Sequence, residues 1–123
     1  MNIYIATKKN MVGAVLTGDD NRASSPSVFQ TQTTDYETQV IWACRRAIHH
    51  VEINKPVDVS DTINIYSDRQ IDVAKLYNDE YIKRHRFNFV QKQIETDQEK
   101  NRMLSAKVAI DMETRRRSIG IGR

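Results

Sequence analysis

The stretch Thr62-Ile63-Asn64-Ile65-Tyr66-Ser67-Asp68-Arg69-Gln70 decides how this chain folds. Its β-branched and aromatic residues predict a buried β-strand over residues 62–67. Asp68 follows the strand directly, and the residues after it predict a turn into a helix. The strand therefore places one carboxylate at its C-terminal end, and the chemistry available there depends on the side chains that other elements bring to it.

The composition limits the chain to a single globular domain. With 123 residues, of which 39% are apolar and 28% charged, the chain is long enough to bury a core. No apolar run of about 18 residues predicts a membrane helix. The N-terminus shows no charged-then-apolar leader, and the single cysteine, Cys44, excludes an internal disulfide. We therefore expect a cytoplasmic protein.

Three strands and a helix are predicted before the opening stretch. The strands cover residues 1–7, 11–17 and 27–33, and the short links between them predict a meander. Thr34 or Asp35 can cap the helix that follows. The helix carries apolar residues at spacings of three and four, namely Val40, Ala43, Cys44, Ala47 and Val51. Pro56 ends it.

Two helices and a strand are predicted after the opening stretch. The first helix has about 12 residues and carries Val73, Leu76, Tyr77 and Tyr81. A short strand follows at 86–90, and Thr96-Asp97-Gln98-Glu99 matches the capping box of a helix that runs to about Arg117. The order β-β-β-α-β-α-β-α predicts an α/β domain over residues 1–117, with a five-stranded mixed sheet and about three helices. Residues 118–123 are expected to form a loose basic tail.

Two motifs in this order resemble the ribonuclease H family. Thr33-Thr34-Asp35-Tyr36-Glu37-Thr38-Gln39-Val40 is similar to the family's entry into its first helix. Ile65-Tyr66-Ser67-Asp68-Arg69-Gln70 is similar to the end of its fourth strand. The resemblance covers most of the chain and implies a ribonuclease H-like fold. The family hydrolyses phosphodiesters with two divalent metal ions, which need several oxygen ligands.

The resemblance assigns four positions to the family's metal-binding carboxylates. These positions fall on Ala6 (or Thr7 with a one-residue slip), Gln39, Asp68 and Ser105. Only Asp68 is a carboxylate, and the position of the family's loop histidine falls on Gln93. A register shift that brought Glu37 into the site would turn the helix by about 200° and move its apolar stripe off the sheet. The resemblance therefore implies a catalytically degenerate member, without a metal ion or other cofactor.

Such a member is expected to be an accessory or regulatory protein, of the kind that a virus or a mobile element encodes. It would bind structured RNA, an RNA/DNA hybrid or another protein. Formal net charge is only +3, but basic residues that could contact phosphates recur along the chain, at Lys8, Lys9, Arg45, Arg46, Arg115, Arg116 and Arg117. Tyr36, Trp42 and Tyr77 are candidate stacking groups.

Two other functions remain open. One is a divergent nuclease that uses Mg²⁺ or Mn²⁺ at a site rebuilt from Asp68, Glu37 and a loop aspartate. The other is a pure protein-interaction module. Asp68 also has a structural interpretation, as the N-cap of the helix that follows it. The adjacent His49 and His50 point about 100° apart on a helix and so do not predict a metal site.

Overall fold

Five strands form one sheet in a computed structural model of the chain, which describes residues 1–18, 22–54, 62–85 and 87–121, without the side chains of 51–54 and 118–121. The strands are β1 (Asn2–Lys8), β2 (Met11–Thr17), β3 (Ser27–Gln30), β4 (Thr62–Ser67) and β5 (Asn88–Lys92). Their order across the sheet is β3-β2-β1-β4-β5. The predicted α/β class and five-stranded mixed sheet are thereby confirmed.

The central strand β1 is paired on both sides. It forms an antiparallel hairpin with β2, from the pair Asn2–Thr17 to the pair Lys8–Met11. On its other side it runs parallel to β4, which in turn runs parallel to β5. Because β1, β4 and β5 are parallel, their carboxyl ends meet at one edge of the sheet, which we call the carboxyl edge.

Helices cover both faces of the sheet. Helix α1 (Tyr36–Asn54) packs on one face, together with a 3₁₀ helix (Val73–Asn78) and helix α2 (Glu80–His85). Helix α3 (Asp97–Ile121) packs on the other face. Alternate residues of β1 therefore enter two cores: Ile3 and Ile5 pack on the α1 side, and Tyr4 and Ala6 on the α3 side.

The apolar stripe predicted for α1 forms the centre of the first core. Val40, Ala43, Cys44 and Ala47 are all fully buried. Burial raises the pKa of the Cys44 thiol, so this cysteine is a core residue and not a reactive one. The helix ends at Asn54, ahead of Pro56, and residues 55–61 lie outside the described part of the chain.

Several element boundaries differ from the prediction. β3 ends at Gln30 rather than near residue 33, and β5 is shifted from 86–90 to Asn88–Lys92, with residue 86 outside the described residues. The single helix predicted after Asp68 is wrong, because Asp79 has extended backbone and separates the 3₁₀ helix from α2. Its carboxylate accepts the backbone N–H of Ile82 at 3.1 Å and so caps α2.

The capping box predicted for α3 is confirmed. The backbone N–H of Glu99 donates to Thr96 Oγ1 at 3.1 Å, and the backbone N–H of Thr96 donates to Glu99 Oε1 at 3.0 Å. The helix continues to Ile121, beyond the predicted end near Arg117. The looseness of the tail stays a prediction, since side chains from 118 onward are not described. None of the helices in the described segments is long and apolar enough to cross a membrane.

Gly13 in β2 allows α3 to lie unusually close to the sheet. A Cβ atom at this position would be 2.4 Å from the carbonyl oxygen of Ala106 and 3.0 Å from a side-chain carbon of Ile110. The first of these contacts is with helix backbone, which cannot move aside as a flexible side chain can. The absence of a side chain at position 13 therefore sets the distance between α3 and β2.

The substitution Gly13→Ala should destabilise the protein, because the added methyl group pushes α3 away from the second core. We expect the free energy of unfolding to fall by about 1–3 kcal/mol, measured by urea denaturation. Ser105→Ala changes an exposed residue of the same helix and should alter stability by less than about 0.5 kcal/mol. Equal stability of Gly13→Ala and the unmodified protein would show that α3 is not held at this distance.

Candidate functional site

The candidate site lies at the carboxyl edge, where β4 ends beside β1 and β1 continues to Lys8. Ile5 pairs with Ser67 in the parallel register, so Ala6 and Asp68 follow side by side, one residue further along each strand. Ala6 is buried in the core beneath α3 and contributes only a methyl group. The first of the four family positions therefore offers no metal ligand.

Asp68 is exposed at this edge. The hydroxyl of Tyr36 donates to its Oδ1 atom at 3.4 Å, and the guanidinium of Arg69 lies 4.9 Å from the centre of the Tyr36 ring. The pKa of Tyr36 is raised mainly by burial, and the negative charge of Asp68 also raises it. Asp68 borders a cavity of about 380 Å³ with Arg69, Gln70, Gln91, Lys92 and Gln93.

The interpretation of Asp68 as a helix cap is wrong. Residues 69–72 form no helix, and the 3₁₀ helix begins only at Val73. The cap of that helix is Asp72, whose carboxylate accepts the backbone N–H of Ala74 at 3.1 Å. The carboxylate of Asp68 thus has no role in starting the next helix.

Gln39 occupies the second family position and is a structural hydrogen-bond donor. Its side chain is 1% exposed, and its Nε2 atom donates to the carbonyl oxygen of Lys9 at 2.7 Å. The same nitrogen lies 3.4 Å from Thr31 Oγ1 and from the carbonyl oxygen of Thr33. The amide therefore ties α1 to the β1–β2 turn and to the segment after β3. A carboxylate could not donate any of these bonds.

Ser105, at the fourth family position, does not join the site. It lies on the exposed side of α3, and its hydroxyl donates to the carbonyl oxygen of Asn101 in the same helix. The acid that α3 does direct at the sheet is Glu99, which accepts the hydroxyl of Tyr66 at 2.9 Å. Hydrogen bonds from the backbone N–H groups of residues 95 and 96 lower the pKa of Glu99. The pKa of Tyr66 is raised to about 12, mainly by burial and then by the hydrogen bond to Glu99 and the negative charge of this residue.

In the part of the chain that the structure describes, the carboxylates required by a rebuilt nuclease site do not gather around Asp68. Glu37 is engaged by the ammonium group of Lys75 at 3.0 Å. Within the described ranges, no group of three or more His, Cys, Asp or Glu side chains could hold a metal ion. The loop aspartates lie outside those ranges, at Asp19, Asp20, Asp58 and Asp61.

Basic side chains surround a second cavity at the carboxyl edge, which we call the Lys9 cleft. It has a volume of about 400 Å³ and is lined by Lys8, Lys9, Asn10, Met11, Gln30, Thr114 and Arg117. Lys9 lies at the hairpin turn with a left-handed φ of 56°. The Nζ atom of Lys8 lies 3.4 Å from Oδ1 of Asp111. The Nε atom of Arg117 lies 3.0 Å from Oε1 of Glu113, and the guanidinium of Arg117 also donates to the side-chain oxygen of Gln30.

The remaining predicted basic residues divide between two helices. Arg115 and Arg116 lie exposed on α3 near Arg117, and hydrogen bonds from Arg116 and Arg117 lower the pKa of Glu113 to about 2. Arg45 and Arg46 lie on α1, on the opposite side of the sheet. The structure therefore brings Lys8, Lys9 and Arg117 together, whereas Arg115 and Arg116 do not line the cleft. The arginines of α1 lie apart from both groups, on the other face of the sheet.

Each arginine of α1 stacks on an aromatic ring, which the sequence pattern did not reveal. The guanidinium of Arg45 lies 4.8 Å from the centre of the Trp42 ring and 5.7 Å from that of Tyr81. The guanidinium of Arg46 lies 4.2 Å from the centre of the Phe29 ring. The spacing of Trp42 and Arg45 by three residues on one helix was the available signal. The contact of Arg46 with Phe29 of β3 could not be predicted from neighbouring residues, because the two residues are far apart in the sequence.

Tyr77 was also predicted as a stacking group. Its hydroxyl oxygen instead accepts the backbone N–H of Phe89 at 2.9 Å.

Comparison with solved structures identifies the fold. The complex of LC11-RNase H1 with an RNA/DNA hybrid superposes with a TM-score of 0.56 at 16% identity, covering 92% of this chain and 98% of that one. LC11-RNase H1 isolated from compost by a metagenomic approach gives a TM-score of 0.55 at 18% identity, covering 92% and 95%. The chain has a ribonuclease H-like fold. No protein-family model matches it, and neither does any curated protein.

The substitution Gln39→Glu should destabilise the protein at neutral pH. A carboxylate at this position would face the carbonyl oxygen of Lys9 without a proton to donate. We expect a loss of about 1–3 kcal/mol in the free energy of unfolding at pH 7. Because the buried position disfavours the charged form, it raises the pKa of this carboxyl group above its unfolded value of about 4.3. The loss should therefore shrink as the pH falls from neutral and be smallest below about pH 4, where a protonated carboxyl group can donate.

The matched control is Gln32→Glu, the same chemical change at an exposed position of a nearby segment. It should leave stability within about 0.5 kcal/mol of the unmodified protein. If Gln39→Glu proved as stable as Gln32→Glu across this pH range, the proposed structural role of the Gln39 amide would be wrong.

Proposed function

We propose that this protein is a non-catalytic nucleic-acid-binding protein that holds an RNA/DNA hybrid or a structured RNA against the carboxyl edge of its sheet. The observation that carries the proposal is which side chains occupy the four positions that correspond to the family's metal-binding carboxylates, and where these side chains point. Ala6 supplies a methyl group, Gln39 directs a donor inward, and Ser105 faces away from the sheet. The lone carboxylate of Asp68 cannot balance two divalent cations, which each require several oxygen ligands.

The Lys9 cleft supports binding to a phosphate backbone. It lies at the edge where the strands end and combines Lys8, Lys9 and Arg117 with the polar side chains of Asn10 and Gln30. Two of its cations are paired with acids. The Lys8–Asp111 pair is exposed, and an exposed ion pair contributes roughly 0–1 kcal/mol, so a phosphate group can displace Asp111 at little cost. The pair of Arg117 with Glu113 is less accessible, because the Glu113 side chain is only 20% exposed. The hybrid bound by LC11-RNase H1 supports the choice of nucleic acid.

A regulatory or accessory role follows from binding without cleavage. A protein that occupies a hybrid or a folded RNA shields it from other proteins, and it needs no cofactor to do so. We propose that the role is that of an accessory protein of a virus or a mobile element, acting in the cytoplasm.

Two rival functions each have one supporting observation. The exposed carboxylate of Asp68 at the expected strand end favours a metal-dependent nuclease, which would take Mg²⁺ or Mn²⁺. An exposed apolar ridge on α3 favours a protein-interaction module. The ridge comprises Leu104, Val108 and Met112, which are 56%, 44% and 64% exposed. A cleavage assay and a binding assay separate these functions from nucleic-acid binding.

The first experiment tests the absence of catalysis. A labelled RNA/DNA hybrid is incubated with the protein and Mg²⁺ or Mn²⁺, and the products are separated on a denaturing gel. We expect no cleavage above the background without protein, because the ligand set for two metal ions is incomplete. Metal-dependent cleavage that Asp68→Asn abolishes would overturn the proposal in favour of the nuclease.

The second experiment tests the Lys9 cleft. Fluorescence anisotropy of a labelled hybrid is measured over a series of salt concentrations, and the logarithm of affinity is plotted against that of salt. Removing two phosphate contacts with Lys9→Gln and Arg117→Gln should lower the steepness of this plot by about 2. The matched control is the pair Lys100→Gln and Lys107→Gln, which removes the same charge from exposed positions of α3.

The control pair should lower the steepness much less than the cleft pair does. Equal effects of the two pairs would show that binding depends on net charge and not on the cleft. Absence of binding even at low salt would overturn the nucleic-acid proposal and favour the protein-interaction module.

A further inference from the structure

A long depression runs along the outer side of α1, away from Asp68. One part, with a volume of about 650 Å³, lies between α1 and the segment that leads into β3, and is bordered by Ser24, Ser27, Trp42, Arg46 and Tyr81. A second part, of about 740 Å³, is bordered by Gln30, Thr31, Gln32, Thr38, Trp42 and Arg46. Because both parts share Trp42 and Arg46, they form one continuous surface, which we call the Trp42 trough.

The indole of Trp42 is exposed and yet held in place. It is 46% exposed, although tryptophan is a residue that proteins usually cover. The guanidinium of Arg45 lies over its ring, and Arg45 is itself fixed by a forked hydrogen bond to Asp79, with Nε at 3.0 Å from Oδ2. Burial opposes ionisation of Asp79, but hydrogen bonds from Arg45 and the Ile82 N–H together lower its pKa, so the pair stays charged at neutral pH.

Arg46 is oriented in a similar way and keeps its hydrogen-bonding capacity. Its guanidinium stacks on Phe29, while the side chain as a whole is exposed. None of the described residues that line either part of the trough is a carboxylate; the polar ones are Ser, Thr, Gln, His and Arg. A chain with 16 acidic residues thus leaves this surface free of negative charge over its described part. Such a surface favours an anionic ligand.

We propose that the Trp42 trough binds single-stranded nucleic acid, with one base stacked on Trp42 and the adjoining phosphate bonded by Arg46. Stacking on an exposed aromatic ring and contact of the backbone with fixed cations are the two features by which proteins bind single strands. A duplex does not fit this chemistry, since its bases already stack on one another and offer no free face to an indole.

This inference goes beyond the duplex site at the carboxyl edge, because its ligand and its residues are different. The two surfaces nevertheless meet at Gln30, which lines both the trough and the Lys9 cleft. A single strand that extends a bound hybrid or a folded RNA therefore has a continuous path from the cleft into the trough.

Trp42 is the only tryptophan in the chain, so its fluorescence reports on the trough directly. The protein is titrated with a ten-nucleotide oligouridine, and we expect saturable quenching of the emission. Absence of quenching at concentrations that saturate binding of a labelled oligouridine would overturn the proposal. Uridine monophosphate serves as a second probe. Equal affinity for the monophosphate and for the oligomer would also overturn it, because a strand contacts more than one unit.

Three variants, measured by anisotropy of the labelled oligouridine, test the assigned contacts. Trp42→Leu should weaken binding by about 5- to 150-fold, the effect of losing one stacked base. Trp42→Phe retains an aromatic face and should lose less. Arg46→Gln should lower the salt steepness by about 1, whereas the control Lys107→Gln should not. Equal losses for Trp42→Leu and Trp42→Phe would overturn the stacking contact, and thermal unfolding checks that each variant is folded.

The double variant Lys9→Gln and Arg117→Gln separates this inference from the proposed function. It should weaken hybrid binding and leave quenching by oligouridine almost unchanged. Conversely, Trp42→Leu should leave the affinity for a blunt hybrid unchanged. If the double variant abolishes oligouridine quenching, the strand binds at the cleft and the trough is not its site.

Discussion

The burial of β1 on all sides constrains the rest of the structure. This strand is hydrogen-bonded to β2 and β4, and its alternate residues enter a separate core on each face of the sheet. Position 6 is therefore a core position beneath α3 as much as a position at the carboxyl edge. The backbone of α3 lies so close at Gly13 that a carboxylate in this core would lose its water without gaining a partner. An alanine at position 6 and a tightly packed α3 are thus consistent with each other.

The same reasoning applies to Gln39 on the other face. Its amide donates to the turn between β1 and β2, where Lys9 has a left-handed backbone that costs roughly 1–3 kcal/mol and needs support. This hydrogen bond holds the turn that presents Lys8 and Lys9 at the carboxyl edge. An acid at position 39 would remove that support. The residue that departs from the family's chemistry therefore also stabilises the surface to which we assign binding.

Local patterns predicted the parts of the fold that depend on local physics. The period of apolar residues located α1, and the spacing of Thr96 and Glu99 located the start of α3. The break at Asp79 could not be predicted in this way, because Arg45 on another helix engages the same carboxylate that caps α2. The motifs likewise aligned Ala6, Gln39, Asp68 and Ser105 with the family. Only the contacts of the structure reveal that Ser105 faces away and that Gln39 is a donor.

The position of the acidic residues explains how a chain of net charge +3 can present basic surfaces. Asp35, Asp72 and Glu99 accept backbone N–H groups at or near the starts of helices, where the helix dipole favours negative charge. Asp79 both caps α2 and holds Arg45 against the ring of Trp42. Because these acids are fixed at helix ends by structural bonds, the described lining of the trough is left to arginine, histidine and uncharged groups. At the cleft, Asp111 and Glu113 pair with Lys8 and Arg117, and Lys9 adds a further cation. Local charge, and not the net charge, therefore determines which ligands these two surfaces can attract.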